Sequence, residues 1–337
     1  MVLLAAAGVL IWLLTRADED PTGGGDGSSS SSGSETSEAG GSTTPADAAY
    51  ADLPRGTVLP DATLVIPRQV DGNVDLYLVD AATGATGARL TSDPEQELGP
   101  ILAPDRDTVL YVRKTGTVDE LWVVSTDGSG HRPLFPSGVE GCAAPSRPAW
   151  NPAQPTELVI ACNDDPGATA LRVVALDGTV ARTLETGFPR VDDLTFSGDG
   201  TTVAYWAGAS DAGAGNIYIQ RVDGSEAPHQ LTDAGSDNDV VWSSSGRLAF
   251  ARGQGSGGRQ IVAMDADGTD VSELTSGFTD QGPVWSPDGS EVAFKSTRPA
   301  PDTTAGDHYW VVDAGGGDAR LIDTEGVVLS TAAWGHR

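Results

Sequence analysis

The feature that most constrains the fold of this chain is a strand–turn–strand unit that recurs along most of its length. The clearest copy runs from Gly282 to Phe294, where a proline and a glycine separate two apolar runs and favour a turn between two strands. Two further apolar runs follow at 309–312 and 320–322. Four antiparallel strands in a repeat of about 45 residues are typical of one blade of a β-propeller.

The spacing of the copies sets the number of blades. Aligned on the position of Trp285, the copies have these anchor residues: Leu102, Trp150, Phe196, Trp242, Trp285 and Trp334. Between 63 and 91 the chain has only three apolar runs, and the run at 329–334 has no blade after it. Joining these two fragments predicts an all-β fold, a six-bladed β-propeller of four-stranded antiparallel blades whose ring is closed by the C-terminal strand.

Several of these motifs resemble those of a known family. The turn Trp285-Ser-Pro-Asp-Gly289, the strand at 292–294 and the segment from Met264 to Thr275 are similar to the WD40-like (PD40) repeat of TolB-type β-propellers. The resemblance covers residues 57–337 and implies a six-bladed propeller that acts as a binding module. The segment before it is too short for the N-terminal α/β domain that TolB itself carries.

The sequence before the repeats differs in composition from the rest. Residues 1–15 are almost entirely apolar, and we expect a membrane or signal-anchor segment that is incomplete at its start; a cleaved signal or a buried helix are the alternatives. Residues 16–56 are rich in glycine, serine and acidic residues, which predicts a disordered linker. Together they predict a cell-membrane protein with the propeller at 57–337 outside the cytoplasm.

The net charge of the chain limits its partners. At −28, with 48 acidic and 20 basic residues, the chain lacks the basic surface needed to displace counterions from phosphate groups. We therefore expect no nucleic acid among its partners.

The chain has two cysteines, Cys142 and Cys162, and both belong to the third repeat. If the strands around Trp150 and Leu158 pair through a short turn, residues whose numbers sum to about 307 face each other, which brings the cysteines together. We expect a disulfide, which is compatible with an extracytoplasmic location; two free thiols are the alternative.

The sequence has no recognisable catalytic motif. Its four histidines fall in different repeats: His131, His229, His308 and His336. The segment Gly208–Ala212 only partly resembles a nucleophile elbow, and Asp265–Asp270 lacks the last acidic ligand of a calcium loop. We interpret both as ordinary loops and expect no catalysis, metal or cofactor.

The repeat alignment places one set of residues around the mouth of the central channel. Three residues before the anchors lie Gly99, Arg147, Asp193, Asp239, Gly282 and Thr331, and Asp192 and Asn238 flank them. Loops from every blade meet at such a mouth, which is the usual binding site of a propeller. We therefore predict a ligand- or partner-binding site at Arg147, Asp192, Asp193, Asn238, Asp239 and Thr331; a mouth without a ligand is the alternative.

These observations predict a non-catalytic, extracytoplasmic propeller that binds an envelope protein, a peptide of cationic or mixed charge, or a small ligand. One alternative is the sensor region of a receptor, such as a membrane serine/threonine kinase. A second is a lyase or hydrolase that uses the central funnel.

Overall fold

The computed structural model describes residues 45–335 except 117, 143–144, 163–166, 210–213, 256, 301–306, 323–326 and 329. The segment 1–44, which includes the predicted anchor and most of the predicted linker, lies outside the described residues, as do His336 and most of the loop after Gly208.

Six four-stranded antiparallel sheets follow one another along the chain. Helix α1 (Pro45–Ala51) precedes them. The first blade contains β1 (Thr63–Val70), β2 (Asn73–Asp80) and β3 (Thr86–Arg89). The second contains β4 (Gln96–Leu102), β5 (Thr108–Thr115), β6 (Val118–Ser125) and β7 (Arg132–Pro133). The third contains β8 (Ala149–Trp150), β9 (Glu157–Cys162), β10 (Ala170–Ala175) and β11 (Val180–Glu185).

The later blades repeat this arrangement. The fourth contains β12 (Arg190–Phe196), β13 (Thr202–Gly208), β14 (Gly215–Arg221) and β15 (His229–Gln230). The fifth contains β16 (Asp237–Trp242), β17 (Arg247–Gly253), β18 (Arg259–Asp265) and β19 (Ser272–Glu273). The sixth contains β20 (Asp280–Trp285), β21 (Glu291–Ser296), β22 (His308–Asp313) and β23 (Arg320–Leu321). The last strand, β24 (Val327–Val328), pairs with β1 and completes the first blade.

The closure of the ring agrees with the sequence prediction. Beyond β24, Ala333 forms an antiparallel bridge with Val65, so the C-terminal segment supplies the missing first strand. Arg106, on the turn after β4, donates hydrogen bonds to the carbonyls of Leu59 and Trp334. It thereby links the segment before the first blade and the closing C-terminal segment to the second blade. The six-bladed fold is confirmed, and each of the six sheets has its full set of four strands.

The core lies between neighbouring blades, because each sheet packs its apolar face on the next one. One cluster joins Leu110 and Leu121 of the second blade to Trp150 and Leu158 of the third. Tryptophans contribute to these clusters from several blades: Trp122, Trp150, Trp206, Trp242, Trp285 and Trp310. All of them are buried except Trp122 and Trp310, which are half-buried.

The turns between strands one and two follow from the Pro-Asp-Gly motif. In the sixth blade, Gly289 adopts the left-handed conformation, with a φ of 72°. The Asp288 carboxylate accepts hydrogen bonds from the Ser286 hydroxyl (2.6 Å) and from the backbone N–H of Ser290 (3.0 Å). An aspartate of this kind closes the turn on its own backbone, and for this reason the motif recurs.

Residues 45–56 differ from the expectation of a disordered linker. Residues 45–56 belong to the same compact unit as the blades, and Leu53 is buried against the second blade. Arg55 donates hydrogen bonds to Asp105 (2.6 Å) and Asp107 (3.0 Å), and its guanidinium lies over the Tyr50 ring. A few large side chains among many small ones are enough to hold this segment, which we call the strap, on the propeller. It lies at the strand ends opposite to the mouth, so the propeller unit begins about a dozen residues earlier than the composition indicates.

The predicted disulfide is present. Cys142 and Cys162 are bonded, with their Cα atoms 5.4 Å apart. Pro145 pairs with Cys162, so the numbers of these partners sum to 307, as the sequence register requires. In the part of the chain that the structure describes, no helix has the length and apolar character needed to span a membrane.

Candidate functional site

The first strands of the blades begin around an axial cavity of about 720 Å³, which we call the mouth. Five of the six predicted site residues line it: Arg147, Asp192, Asp193, Asp239 and Thr331. The sixth, Asn238, is not among the lining residues, and its amide oxygen accepts a hydrogen bond from Arg259. The side chain of Asn238 is therefore engaged by β18.

The residues nearest the axis lie on β-bulges. Gly99, Asp193, Asp239 and Gly282 all have a φ between 55° and 58°, and the strand register shifts at each of them. The left-handed conformation favours glycine and is tolerated by aspartate, which explains why these two residue types occupy the position in blades two, four, five and six. A bulge turns its residue out of the sheet towards the axis.

Two of the mouth carboxylates connect neighbouring blades. Asp193 accepts a hydrogen bond from the backbone N–H of Asp239 (2.8 Å), and Asp239 accepts one from the backbone N–H of Gly282 (3.0 Å). Each bulge exposes an N–H that the sheet does not use, and the carboxylate of the preceding blade satisfies it. These acids thus hold blades four, five and six together at the mouth.

Arg147 has a similar structural role on the other side of the ring. It donates hydrogen bonds from Nε to the carbonyl of Gly99 (3.0 Å) and from Nη2 to the carbonyl of Pro100 (2.8 Å). A Cβ atom on Gly99 would lie 3.0 Å from the Arg147 side chain, so a larger residue there would displace this arginine. The N–H of Gly99 donates to the Ser330 hydroxyl (2.9 Å), which joins the second blade to the closing segment.

The remaining charges of the mouth belong to side chains that the sequence analysis did not select. Both lysines of the chain, Lys114 and Lys295, line the cavity, together with Arg190. Lys114 lies 3.6 Å from Asp119, and Lys295 lies 3.4 Å from Asp307. Arg190 pairs with Asp192 at 2.8 Å.

A signal for the two lysines was present in the sequence. Lys114 and Lys295 lie near the ends of second strands, opposite Gln96 and Gln281 of the first strands. Because antiparallel neighbours run in opposite directions, the end of a second strand lies beside the start of a first strand. The register could therefore have placed both lysines at the mouth.

Three of the first strands carry a buried acidic residue at or next to their first position. Asp237 receives two hydrogen bonds from Arg252 (2.7 and 2.9 Å), and Asp280 receives two from Arg298 (2.6 and 3.0 Å). Glu97 occupies the same repeat position, but no guanidinium of the described residues bonds to it. Burial of its carboxyl group raises its pKa to about 8.

Other groups named in the sequence analysis lie away from the mouth. His131 contacts Tyr111 and lies 3.0 Å from Asp93, and burial lowers its pKa. The segment Asp265–Asp270 forms a turn in which Arg247 pairs with both terminal aspartates. No group of three or more metal-ligating side chains was found among the described residues.

A closed ring of six four-stranded blades around an open, charged axial mouth defines a six-bladed β-propeller with a channel-mouth site. The sequence profile of the TolB beta propeller domain matches residues 137–337. The chain therefore belongs to this family. No curated protein sequence matches it.

Solved structures with the same fold include two TolB proteins. TolB from Acinetobacter baumannii is 14% identical, with a TM-score of 0.63, over 82% of this chain and 67% of that one. A putative TolB from Agrobacterium tumefaciens is 19% identical, with a TM-score of 0.60, over 77% and 87%. Oligogalacturonate lyase from Vibrio parahaemolyticus is 14% identical, with a TM-score of 0.52, over 79% and 80%. At these identities the likeness concerns the fold alone, which serves binding proteins and enzymes alike.

Proposed function

We propose that this chain is a non-catalytic binding module that holds an extended segment of a partner protein at the mouth. The single observation that carries the proposal is the mouth itself, a cavity of about 720 Å³ whose lining includes four cationic and four acidic side chains. A volume of this size suits a peptide of a few residues or a small ligand. No histidine or cysteine is among the residues found to line it.

The geometry favours acidic groups on the partner segment. Asp193 and Asp239 already accept backbone N–H groups, and a cationic ligand would have to compete with those bonds. The lysines can bind a ligand more readily than these aspartates. Lys114 and Asp119 are 44% and 52% exposed and 3.6 Å apart, and exposed pairs of this kind contribute about 1 kcal/mol or less.

A partner carboxylate can therefore replace Asp119 as the contact of Lys114 at small cost. Lys295 is 19% exposed and more strongly desolvated than Lys114, so we expect it to contribute more to binding. This revises the sequence-based expectation from a cationic or mixed-charge segment to an acidic or mixed-charge one.

We further propose that the propeller acts outside the cytoplasm and is tethered through its N-terminal segment. The Cys142–Cys162 disulfide supports the first part, because disulfides persist in oxidising compartments. The apolar run at 1–14 supports the second. Fractionation of cells with a tag at the C-terminus, followed by protease treatment of intact cells, tests both parts.

The experiment for the binding function is a pull-down from solubilised cell envelope with the full chain as bait. We expect Lys295→Gln and Lys114→Gln to lose specific partners. The control is Arg221→Gln, which removes one positive charge from an exposed pair with Asp223 in the fourth blade. Loss of the same partners in the control would show a general charge effect and contradict the proposal.

A second pair of variants separates structural from binding roles at the mouth. Asp193→Asn and Asp239→Asn together keep an oxygen acceptor for each bulge N–H, so the fold and partner binding should both persist. If the double variant folds but loses all partners while the lysine variants keep them, the partner segment is cationic and the revised assignment is wrong.

A further inference from the structure

A second cavity, of about 440 Å³, lies between the fifth and sixth blades and shares no lining residue with the mouth. Besides two glycines, it is lined by Gln254, Gln260, Ser276, Phe278, Thr279 and Thr297. All of these side chains are uncharged, although 20% of the chain is charged. The cavity thus combines one aromatic ring with amides and hydroxyls.

Gln260 is the most buried residue of this lining. It is only 5% exposed, its side-chain amide makes no hydrogen bond to any described residue, and the amide atoms keep their access to the cavity. A ligand that covers this amide has to supply its hydrogen bonds, because leaving a buried amide unpaired is costly. The NH₂ group and the carbonyl oxygen of this amide can therefore bond to a ligand in the cavity.

The fourth blade shows what the same repeat position does when it is used internally. Asn216 there occupies the position of Gln260, and its amide oxygen accepts the backbone N–H of Gly235 in the following loop (2.8 Å). In the fifth blade the corresponding loop residue is Phe278, which makes no such contact with Gln260. The amide of Gln260 therefore does not serve to hold the loop.

Phe278 supplies a flat apolar surface beside this amide. Phe278 is 41% exposed, and the Arg298 guanidinium lies 4.8 Å from the centroid of its ring, on one side. Arg298 is itself held by two hydrogen bonds to buried Asp280, so the ring rests on a fixed support. The other side of the ring remains for contact with a ligand.

We propose that this cavity binds a neutral saccharide. A sugar hydroxyl both donates and accepts hydrogen bonds, as an amide does, and the C–H face of a pyranose ring can pack on an aromatic ring. An ionic ligand would find no countercharge among the described lining residues, and an apolar ligand would leave Gln260 buried without partners. The site is independent of the function proposed for the mouth.

The test is saturation-transfer NMR on the full chain with three neutral disaccharides: maltose, cellobiose and diacetylchitobiose. We expect at least one of them to bind with a Kd below about 10 mM. Phe278→Ala removes the aromatic ring, and Gln260→Leu removes every hydrogen-bonding group of the side chain. Each variant should weaken that binding by about tenfold. Lys295→Gln, at the mouth, and Asn216→Ala, in the fourth blade, should leave it unchanged.

Several outcomes would overturn this assignment. Absence of transfer from all three sugars would do so, as would binding that is unaffected by Phe278→Ala. Equal binding of the charged sugar digalacturonate would contradict the neutral character of the ligand. Phe278 is exposed, so its variant is expected to fold; circular dichroism checks both variants, and if Gln260→Leu fails to fold, Phe278→Ala alone decides.

Discussion

Replacing Glu97 by glutamine should make the protein more stable, and increasingly so as the pH rises. Glu97 is fully buried at the start of β4, where its carboxyl group accepts a hydrogen bond from the Thr91 hydroxyl (3.0 Å). Its other carboxyl oxygen has no partner among the described residues. The equivalent acids Asp237 and Asp280 each receive two hydrogen bonds from an arginine, and Glu97 receives none.

The direction of this pH dependence follows from the pKa of Glu97 in the folded and the unfolded chain. Burial, together with the nearby carboxylates of Asp75 and Asp93, raises the pKa of Glu97 from 4.5 to about 8, and the charge of Arg113 opposes this shift. In the unfolded chain the group ionises near its ordinary pKa. Stability is therefore fully present below pH 4.5, falls as the pH rises from 4.5 to 8, and is constant above that.

The magnitude comes from the same shift. At about 1.4 kcal/mol per pH unit, ionisation of Glu97 stabilises the unfolded chain relative to the folded one by up to about 5 kcal/mol above pH 8.5, and by about 3 kcal/mol at pH 7. Glutamine does not ionise, so the Glu97→Gln variant avoids this loss. We expect its advantage to be about 1 kcal/mol at pH 5 and to rise to between about 3 and 5 kcal/mol at pH 8.5.

Urea unfolding of both proteins at pH 5, 7 and 8.5 measures this difference, because other titrating groups cancel in the comparison. Glu95→Gln is the matched control, since Arg113 lowers the pKa of the half-buried Glu95 carboxyl and the variant should gain nothing as the pH rises. An advantage of Glu97→Gln that is equal at pH 5 and pH 8.5 would show that Glu97 is not held as a neutral acid.

Three further predictions concern stability and can be checked by urea unfolding. Changing both Cys142 and Cys162 to serine should cost about 3 kcal/mol, because the bond closes a loop of about 20 residues; reductant should have the same effect on the wild type and none on the variant. Asp239→Ala should cost about 2 kcal/mol, since the N–H of Gly282 loses a charged acceptor, while Asp239→Asn should cost less than half of that. Arg106→Ala should cost about 3 kcal/mol by releasing both chain ends, and an unchanged midpoint would contradict its role in closure.

The blade count and the closure could be predicted because both follow from the repeat. A period in the sequence fixes which residues share a position, so the join between 63–91 and the C-terminal strand needed no contact information. The register around Trp150 also brought Cys142 close to Cys162, and the disulfide between them is present. Local hydrophobic pattern and turn chemistry were sufficient for these conclusions.

The roles of the mouth residues could be predicted only in part. The alignment placed Asp193 and Asp239 at the channel correctly, but a left-handed bulge and the N–H that it exposes depend on three-dimensional register. The strap was missed for a different reason. Leu53 and Arg55 are isolated in a polar segment, and their contacts are with residues about 50 positions away, which composition does not record.

The position of the strap gives the propeller two unequal faces. The chain enters along the turn after β4, and Gly335 at the other end donates to the carbonyl of Trp285, at the end of a first strand. Both ends of the described chain therefore lie on one face, and the mouth lies on the other. A first strand of seven residues spans about 23 Å, which is the approximate thickness of the ring between the two faces. A tag, a fusion partner or a solid support joined directly before residue 45 or directly after Gly335 would start on the face away from the mouth. The face with the mouth then remains free to meet another molecule.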